Sequence, residues 1–171
     1  MIEVYESVSD FIARGGNVLV VIFGVTMAMW TLILERHWYF WFVYPSEARS
    51  VLERWQARAD QVSWRAHQIR QMMISETSTD LNRSIQMINT LVALCPLLGL
   101  LGTVTGMIEV FDVMAAAGNS NARAMASGVS KATIPTMAGM LAALSGLYFS
   151  VRLQRFARDE GNRLADRMTH D

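Results

Sequence analysis

Three stretches without a single charged residue govern what this chain can fold into: Gly15–Leu34, Ser84–Ile108 and Ala132–Val151, of 20, 25 and 20 residues. About 20 apolar residues carry a helix across a hydrocarbon core of about 30 Å, so each stretch predicts a transmembrane helix. The expected class is therefore all-α: an integral membrane protein with three spans, in which 52% of the 171 residues are hydrophobic and only 18% charged. The remainder is too short for a separate catalytic domain of the usual ~100 residues or more, and no enzymatic chemistry is expected. Cys95 is the one cysteine and lies inside the second stretch, so no internal disulfide can form.

The N-terminus does not read as a secretory signal, which would begin with basic residues. Glu3, Glu6 and Asp10 instead alternate with Val4, Tyr5, Val8, Phe11 and Ile12 at spacings of three and four. This pattern predicts a short amphipathic helix on the membrane surface, ending at a Gly15-Gly16 hinge.

Orientation follows from the basic residues, which collect on cytoplasmic flanks. Seven arginines fall within Arg36–Arg83 and five after Val151, against Arg14, Arg123 and Lys131 in the segments on the other side. The N-terminus is expected outside and the C-terminus in the cytoplasm. The expected order is an outer amphipathic helix at 1–14, spans at 15–35, 84–113 and 124–151, a cytoplasmic helical loop at 36–83, an outer loop at 114–123 and a cytoplasmic helical tail at 152–171. Trp38, Tyr39, Phe40, Trp41, Phe42 and Tyr44 form an aromatic belt after the first span, with Glu35-Arg36 marking the end of the hydrocarbon.

In the cytoplasmic loop, Pro45-Ser46 reads as a helix start, with Val51, Leu52 and Trp55 on one face opposite Arg54 and Arg58. A second short helix carries Trp64, Ile69, Met72 and Met73. The Thr77-Ser78-Thr79-Asp80 cluster reads as a loop and cap, followed by a helix running unbroken from Leu81 into the second span. In the tail, Leu153, Phe156, Leu164 and Met168 make an apolar stripe, and Asp159 and Arg163 sit four apart on a polar face. Helices two and three thus extend into the cytoplasm.

The motifs of nucleotide and metal chemistry are absent: no phosphate-cradling loop, no dinucleotide fingerprint and no Cys/His cluster, since His37, His67 and His170 are scattered. No cofactor, metal or nucleic-acid partner is expected. Gly99, Gly102 and Gly106 fall inside a span and read as close helix packing, with Gly102 and Gly106 a small-xxx-small pair. Gly128, Ala132, Pro135, Gly139, Ala142 and Gly146 recur every three or four residues as a smooth stripe on the third span. Such small faces are expected to need other subunits to cover them, predicting a closed homo-oligomer.

Thr103 and Thr105 in the second span and Thr133 and Thr136 in the third put hydroxyls at membrane depth. Each can bond its own helix's preceding carbonyl, or line a polar conduit. Lys131 is the only lysine, and apart from it 124–151 carries no charge. Its ammonium either sits within the bilayer, at about 2.5 to 3.5 kcal/mol unless water or an acid meets it, or snorkels to the outer interface. Glu109 and Asp112 reach a similar depth if the hairpin turns near Gly118-Asn119, and are candidate counter-charges.

These residues carry a family resemblance. The stretch Cys95-Pro-Leu-Leu-Gly-Leu-Leu-Gly-Thr-Val-Thr-Gly-Met-Ile108 resembles the second-span signature of the MotA/TolQ/ExbB proton-channel family, the Gly-Leu-Leu-Gly-Thr element above all. The run Ala132-Thr-Ile-Pro-Thr-Met-Ala-Gly-Met-Leu-Ala-Ala-Leu144 is similar to that family's third span. Three spans with the N-terminus outside resemble ExbB and TolQ, whereas MotA has four.

The resemblance implies a ring of five subunits around a dimer of a one-span ExbD-like partner, whose aspartate carries the proton and whose motion drives a TonB-like protein that opens outer-membrane receptors. By position, Thr103 and Thr136 match the family's pore-facing threonines. Lys131 stands where many ExbB proteins have a glutamate, which leaves the partner's aspartate as the titrating group and Lys131 placed to affect it. A TolQ-like role in envelope constriction is the alternative within the family. A lone secondary transporter is the alternative outside it, but that predicts an acidic coupling residue inside a span and discontinuous half-helices, and the three uncharged stretches hold no acid.

Overall fold

The computed structural model describes the backbone of residues 2–60, 63–117 and 122–168, and their side chains except at 2–15, 116–117, 122–127 and 131. All regular structure among the described residues is helical: α1 (Ile2–Trp38), α2 (Tyr44–Gln56), α3 (Trp64–Asn82), α4 (Ile85–Ala117) and α5 (Ala122–Arg167). Three helical stretches, Gly16–Gln56, Trp64–Ala115 and Gly128–Arg167, are long and apolar enough to cross a membrane. The chain divides into two compact units, one of residues 1–30 and 90–147 and the other of 31–89 and 148–171.

The first unit holds the apolar parts of α1, α4 and α5. Gly16 interrupts α1 with φ 66° and ψ −170°, a conformation that costs glycine little and other residues much, and the predicted hinge lies here. Past it, Leu19, Ile22 and Met29 turn inward, while Val20, Val21, Phe23 and Met27 stay exposed. α4 and α5 pack antiparallel along their small residues. A Cβ on Gly99 would lie 2.9 Å from Thr136 Cα, one on Gly106 2.7 Å from Ala132 Cβ, and one on Gly102 2.9 Å from Pro135 Cγ. Gly139 faces the Cys95 carbonyl, with Gly99 Cα 3.3 Å from where its Cβ would be. The two small faces therefore cover each other within one chain, which corrects the expectation that only another subunit could do so. Gly146 similarly admits Met29 and Val92.

Pro96 and Pro135 both lie inside helices. Each lacks the N–H its helix would use, which frees the carbonyl four residues earlier. Pro135 is nonetheless almost fully buried, its ring against Gly102.

The second unit has an apolar core of its own. Trp55, Ala66, Leu164 and Met168 form a buried cluster, with Val51, Leu52, Met73 and Ile74 packed against it. Full burial of such side chains contributes about 1.5–3 kcal/mol each for the large aliphatic ones. Between α1 and α2 the helix widens into one π turn, Tyr39–Val43, in which the Tyr44 N–H reaches back to the Tyr39 carbonyl. Pro45 follows in the first turn of α2, where a missing N–H does least harm. This geometry splits the predicted aromatic belt: Trp38, Trp41 and Phe42 are exposed, while Phe40 and Tyr44 are buried, and Phe40 packs on Phe156 with centroids 4.9 Å apart.

Three local expectations are revised. α3 runs straight through 77–80, because the hydroxyls of Thr77 and Thr79 donate back to the carbonyls of Met73 and Ser75, at 2.9 and 2.8 Å, instead of capping a new helix. The break falls at Arg83-Ser84, so the helix into the second span starts at Ile85. In the tail Arg163 pairs with Glu160 at 2.7 Å, one turn away, instead of Asp159. α4 reaches Ala117 and α5 begins at Ala122, so both enter the segment read as a 114–123 outer loop; the Gly118-Asn119 turn lies outside the described residues. At 46 residues, α5 is roughly 69 Å long, more than twice a hydrocarbon core of about 30 Å.

Two arginines close helix ends. Arg70 donates from Nε to the Met168 carbonyl at 3.1 Å and from Nη2 to the Ala165 carbonyl at 2.7 Å, satisfying the C-terminal carbonyls of α5 with a positive charge. Arg36, buried at 4% exposure, donates from Nη2 to the Asp80 carbonyl and lies 4.4 Å over the Tyr39 ring.

Two glycines in α5 predict opposite outcomes. Gly139→Ala forces a Cβ into the Cys95 carbonyl and should lower stability by about 1–3 kcal/mol. Gly161→Ala meets nothing within 4 Å and should raise it by about 0.5–1 kcal/mol through helix propensity. Thermal unfolding of the two variants in one detergent reads both signs.

Candidate functional site

The four intramembrane threonines do not share one environment. In hydrocarbon a hydroxyl has no water to donate to, so it takes the nearest carbonyl, usually three or four residues back on its own helix. Thr103 Oγ1 donates to the Leu100 carbonyl at 2.7 Å, Thr105 Oγ1 to those of Leu101 and Gly102 at 3.0 and 3.1 Å, and Thr133 Oγ1 to that of Ser130 at 2.8 Å. Thr26 and Ser145, which sequence reading passed over, do the same toward Ile22 and Ala142. Thr136 differs: its hydroxyl crosses to α4 and donates to the Gly99 carbonyl at 2.9 Å. This bond needs the close backbone approach at Gly99, where any Cβ would press on Thr136 itself.

Placement around the helices separates them further. Thr103 and Thr105 are two residues apart, about 200° around α4, and so lie on opposite flanks of the Gly99/Gly102/Gly106 stripe. They cannot both face one conduit. Thr133 and Thr136 are three apart and share a side of α5. Thr133 is exposed, on the same broad face as the exposed Met137, Met140 and Leu144. The structure thus leaves Thr133 outward, Thr136 as a bridge between helices, and Thr103 and Thr105 on separate flanks.

Position 131 lies in α5 next to Ala132, which packs on Gly106, and Gly128 packs on Val110 one turn away. The Lys131 side chain lies outside the described residues. Its carbonyl has lost the usual helical donor, because Pro135 has no N–H. On α4, Glu109 comes one turn after Gly106 and so reaches the axial level of positions 128–132, with Asp112 nearly a turn further out; both carboxylates are exposed. Among the described residues no cluster of His, Cys, Asp and Glu is arranged to hold a metal ion.

One polar group was missed by sequence reading. Asn89, Ser150 and Gln154 hydrogen-bond to one another. The signal was present, since Asn89 and Ser150 are polar residues inside uncharged runs and Ser150 continues the small-residue stripe four residues after Gly146, but neither lies within the glycine-threonine motif.

The model of the MotA/TolQ/ExbB proton channel family matches residues 46–166. A Synechocystis sp. protein named as biopolymer transport protein ExbB-like 1 is 46% identical over 70 residues, covering 39% of this chain and 28% of that protein. A second from the same organism, ExbB-like 3, is 33% identical over 84 residues, covering 45% of this chain and 40% of its own length. The chain spans less than half the length of either relative. With three membrane-length helices and a family match across more than half its residues, this chain is a multi-pass membrane protein that belongs to the MotA/TolQ/ExbB proton channel family.

Proposed function

We propose that the chain is the channel-forming subunit of an ion-gradient-driven energiser in an inner membrane, making no covalent bond itself. Five copies surround a dimer of a one-span ExbD-like partner, and movement of one set against the other drives a TonB-like protein for receptor-mediated uptake of siderophores or other nutrients across the outer membrane. The observation that carries this reading is the α4–α5 pair: two membrane-length helices joined backbone to backbone, with hydroxyls at membrane depth, within the family match. The biopolymer-transport names of the Synechocystis relatives support the same direction. The arginine distribution supports a periplasmic N-terminus and helices extended into the cytoplasm.

In this reading α4 and α5 act as one rigid wall. Thr133, exposed beside Met137 and Met140, faces the partner, and Thr103 offers a hydroxyl from one flank of α4. Thr136 holds the wall together and lends its oxygen lone pairs to water in the conduit. Lys131 sets the field near the conduit's outer end, with Glu109 the nearer counter-charge. A carboxylate moving past such a wall meets isolated hydroxyls set among apolar side chains such as Met137 and Met140.

Native mass spectrometry in mild detergent tests the assembly. A closed homo-oligomer, a pentamer, is expected; a monomer at all concentrations would remove the motor reading.

Valine replaces threonine without change of shape. Thr133→Val should leave assembly intact and cut energised uptake several-fold, whereas Thr136→Val should also cost on the order of 1 kcal/mol of stability through loss of the bond to Gly99. Uptake at the wild-type level in both variants, at equal expression, would remove the threonines from the conduit.

Lys131→Met tests the electrostatics. A nearby ammonium favours the ionised form of the partner aspartate and so lowers its pKa; removing it raises that pKa and shifts the pH profile of proton uptake to higher pH. A profile overlaying that of wild type would place Lys131 at the outer interface instead.

A further inference from the structure

The uncharged runs of α4 and α5 each carry a polar residue that the threonine conduit does not use. Asn89 lies near the start of Ser84–Ile108, and Ser150 is next to last in Ala132–Val151, so both belong to the end of the spans that meets the arginine-rich side. The fold brings them together with Gln154. Ser150 Oγ donates to Asn89 Oδ1; Gln154 Nε2 donates to the same oxygen at 3.0 Å and to Ser150 Oγ at 3.3 Å. Ser150 is fully buried, Gln154 half-buried and Asn89 exposed.

A clamp between two helices requires one such bond. Here two side chains, Ser150 and Gln154, converge on the one Asn89 oxygen, and among the described residues no group accepts from Asn89 Nδ2 or donates to Gln154 Oε1. Carboxamide groups left open at the edge of a hydrocarbon layer are costly unless water meets them. Along the sequence, Gln154 follows Thr136 by 18 residues and Asn89 precedes Thr103 by 14, each pair within one helix.

We infer that Asn89, Ser150 and Gln154 form a hydrated polar site at the cytoplasmic end of the conduit, where a file of water passes the transported proton to bulk water. The carboxamides hold and orient that water and take up no proton themselves; Ser150 anchors Asn89. The inference rests on the channel reading above.

The full chain, purified from its native membrane with the one-span partner bound, is reconstituted into liposomes enclosing a pH-reporting dye, and proton entry is driven by a potassium diffusion potential. Asn89→Leu and Gln154→Leu should each slow entry at least tenfold with the oligomer intact by native mass spectrometry. In a Cys95→Ala background, Asn89→Cys should react with a membrane-impermeant hydrophilic thiol reagent at least tenfold faster than Leu97→Cys, whose parent side chain is 61% exposed in mid-span. Wild-type proton entry in both leucine variants, or Asn89→Cys reacting as slowly as Leu97→Cys, would make the triad a helix clamp and overturn the inference while the channel reading stands. Wild-type liposomes no more permeable than empty ones would remove the channel reading, and the inference with it.

Discussion

The contact of Gly139 with the Cys95 carbonyl, repeated at Gly99 and Gly106, is the constraint on which the membrane part of this protein depends. Lipid chains are as apolar as leucine, so no hydrophobic force pulls two helices together in a bilayer; association comes from van der Waals contact and interhelical hydrogen bonds. Removing side chains from both surfaces lets two backbones touch along several turns. That approach sets the antiparallel register of α4 and α5, and the register decides what each polar group can reach. The Thr136 bond to Gly99 exists only because the backbones are this close.

The second unit obeys different physics. Trp55, Leu164 and Met168 gather into a buried cluster of large side chains, and Arg70 closes the end of α5 on its carbonyls. Arg36 spends its charge on a backbone carbonyl and two aromatic rings in place of a carboxylate. In the first unit large apolar residues such as Leu97, Leu141 and Leu144 stay on the surface, as a chain bounded by lipid or by further subunits allows.

Hydroxyls and carboxamides are arranged by the same scarcity of water. Thr103, Thr105 and Thr133 satisfy themselves on their own helices and so fix no tertiary contact by hydrogen bonding. Thr136 and the Asn89–Ser150–Gln154 group use partners far away in sequence. The proposed channel therefore combines fixed bridges with polar groups that remain available, a division that a count of intramembrane threonines does not reveal.

Much of this was legible in the residues alone because it is local. A run of 20 uncharged residues has one solution in a bilayer, the glycine pair at its start permits the positive φ found at Gly16, and the period of Val51, Leu52 and Trp55 marks a buried face wherever its partner lies. What escaped was pairwise. The glycine stripes announce a close approach without naming the partner, and only folding showed α4 and α5 covering each other. The hydroxyls of Thr77 and Thr79 suit a cap or a helix interior equally, and the packing of α3 settled the choice by moving the break to Arg83-Ser84. Asn89 and Ser150 stand 61 residues apart; helical period orders residues within one helix and holds no information about which helix lies opposite, so their meeting is a property of the tertiary structure alone.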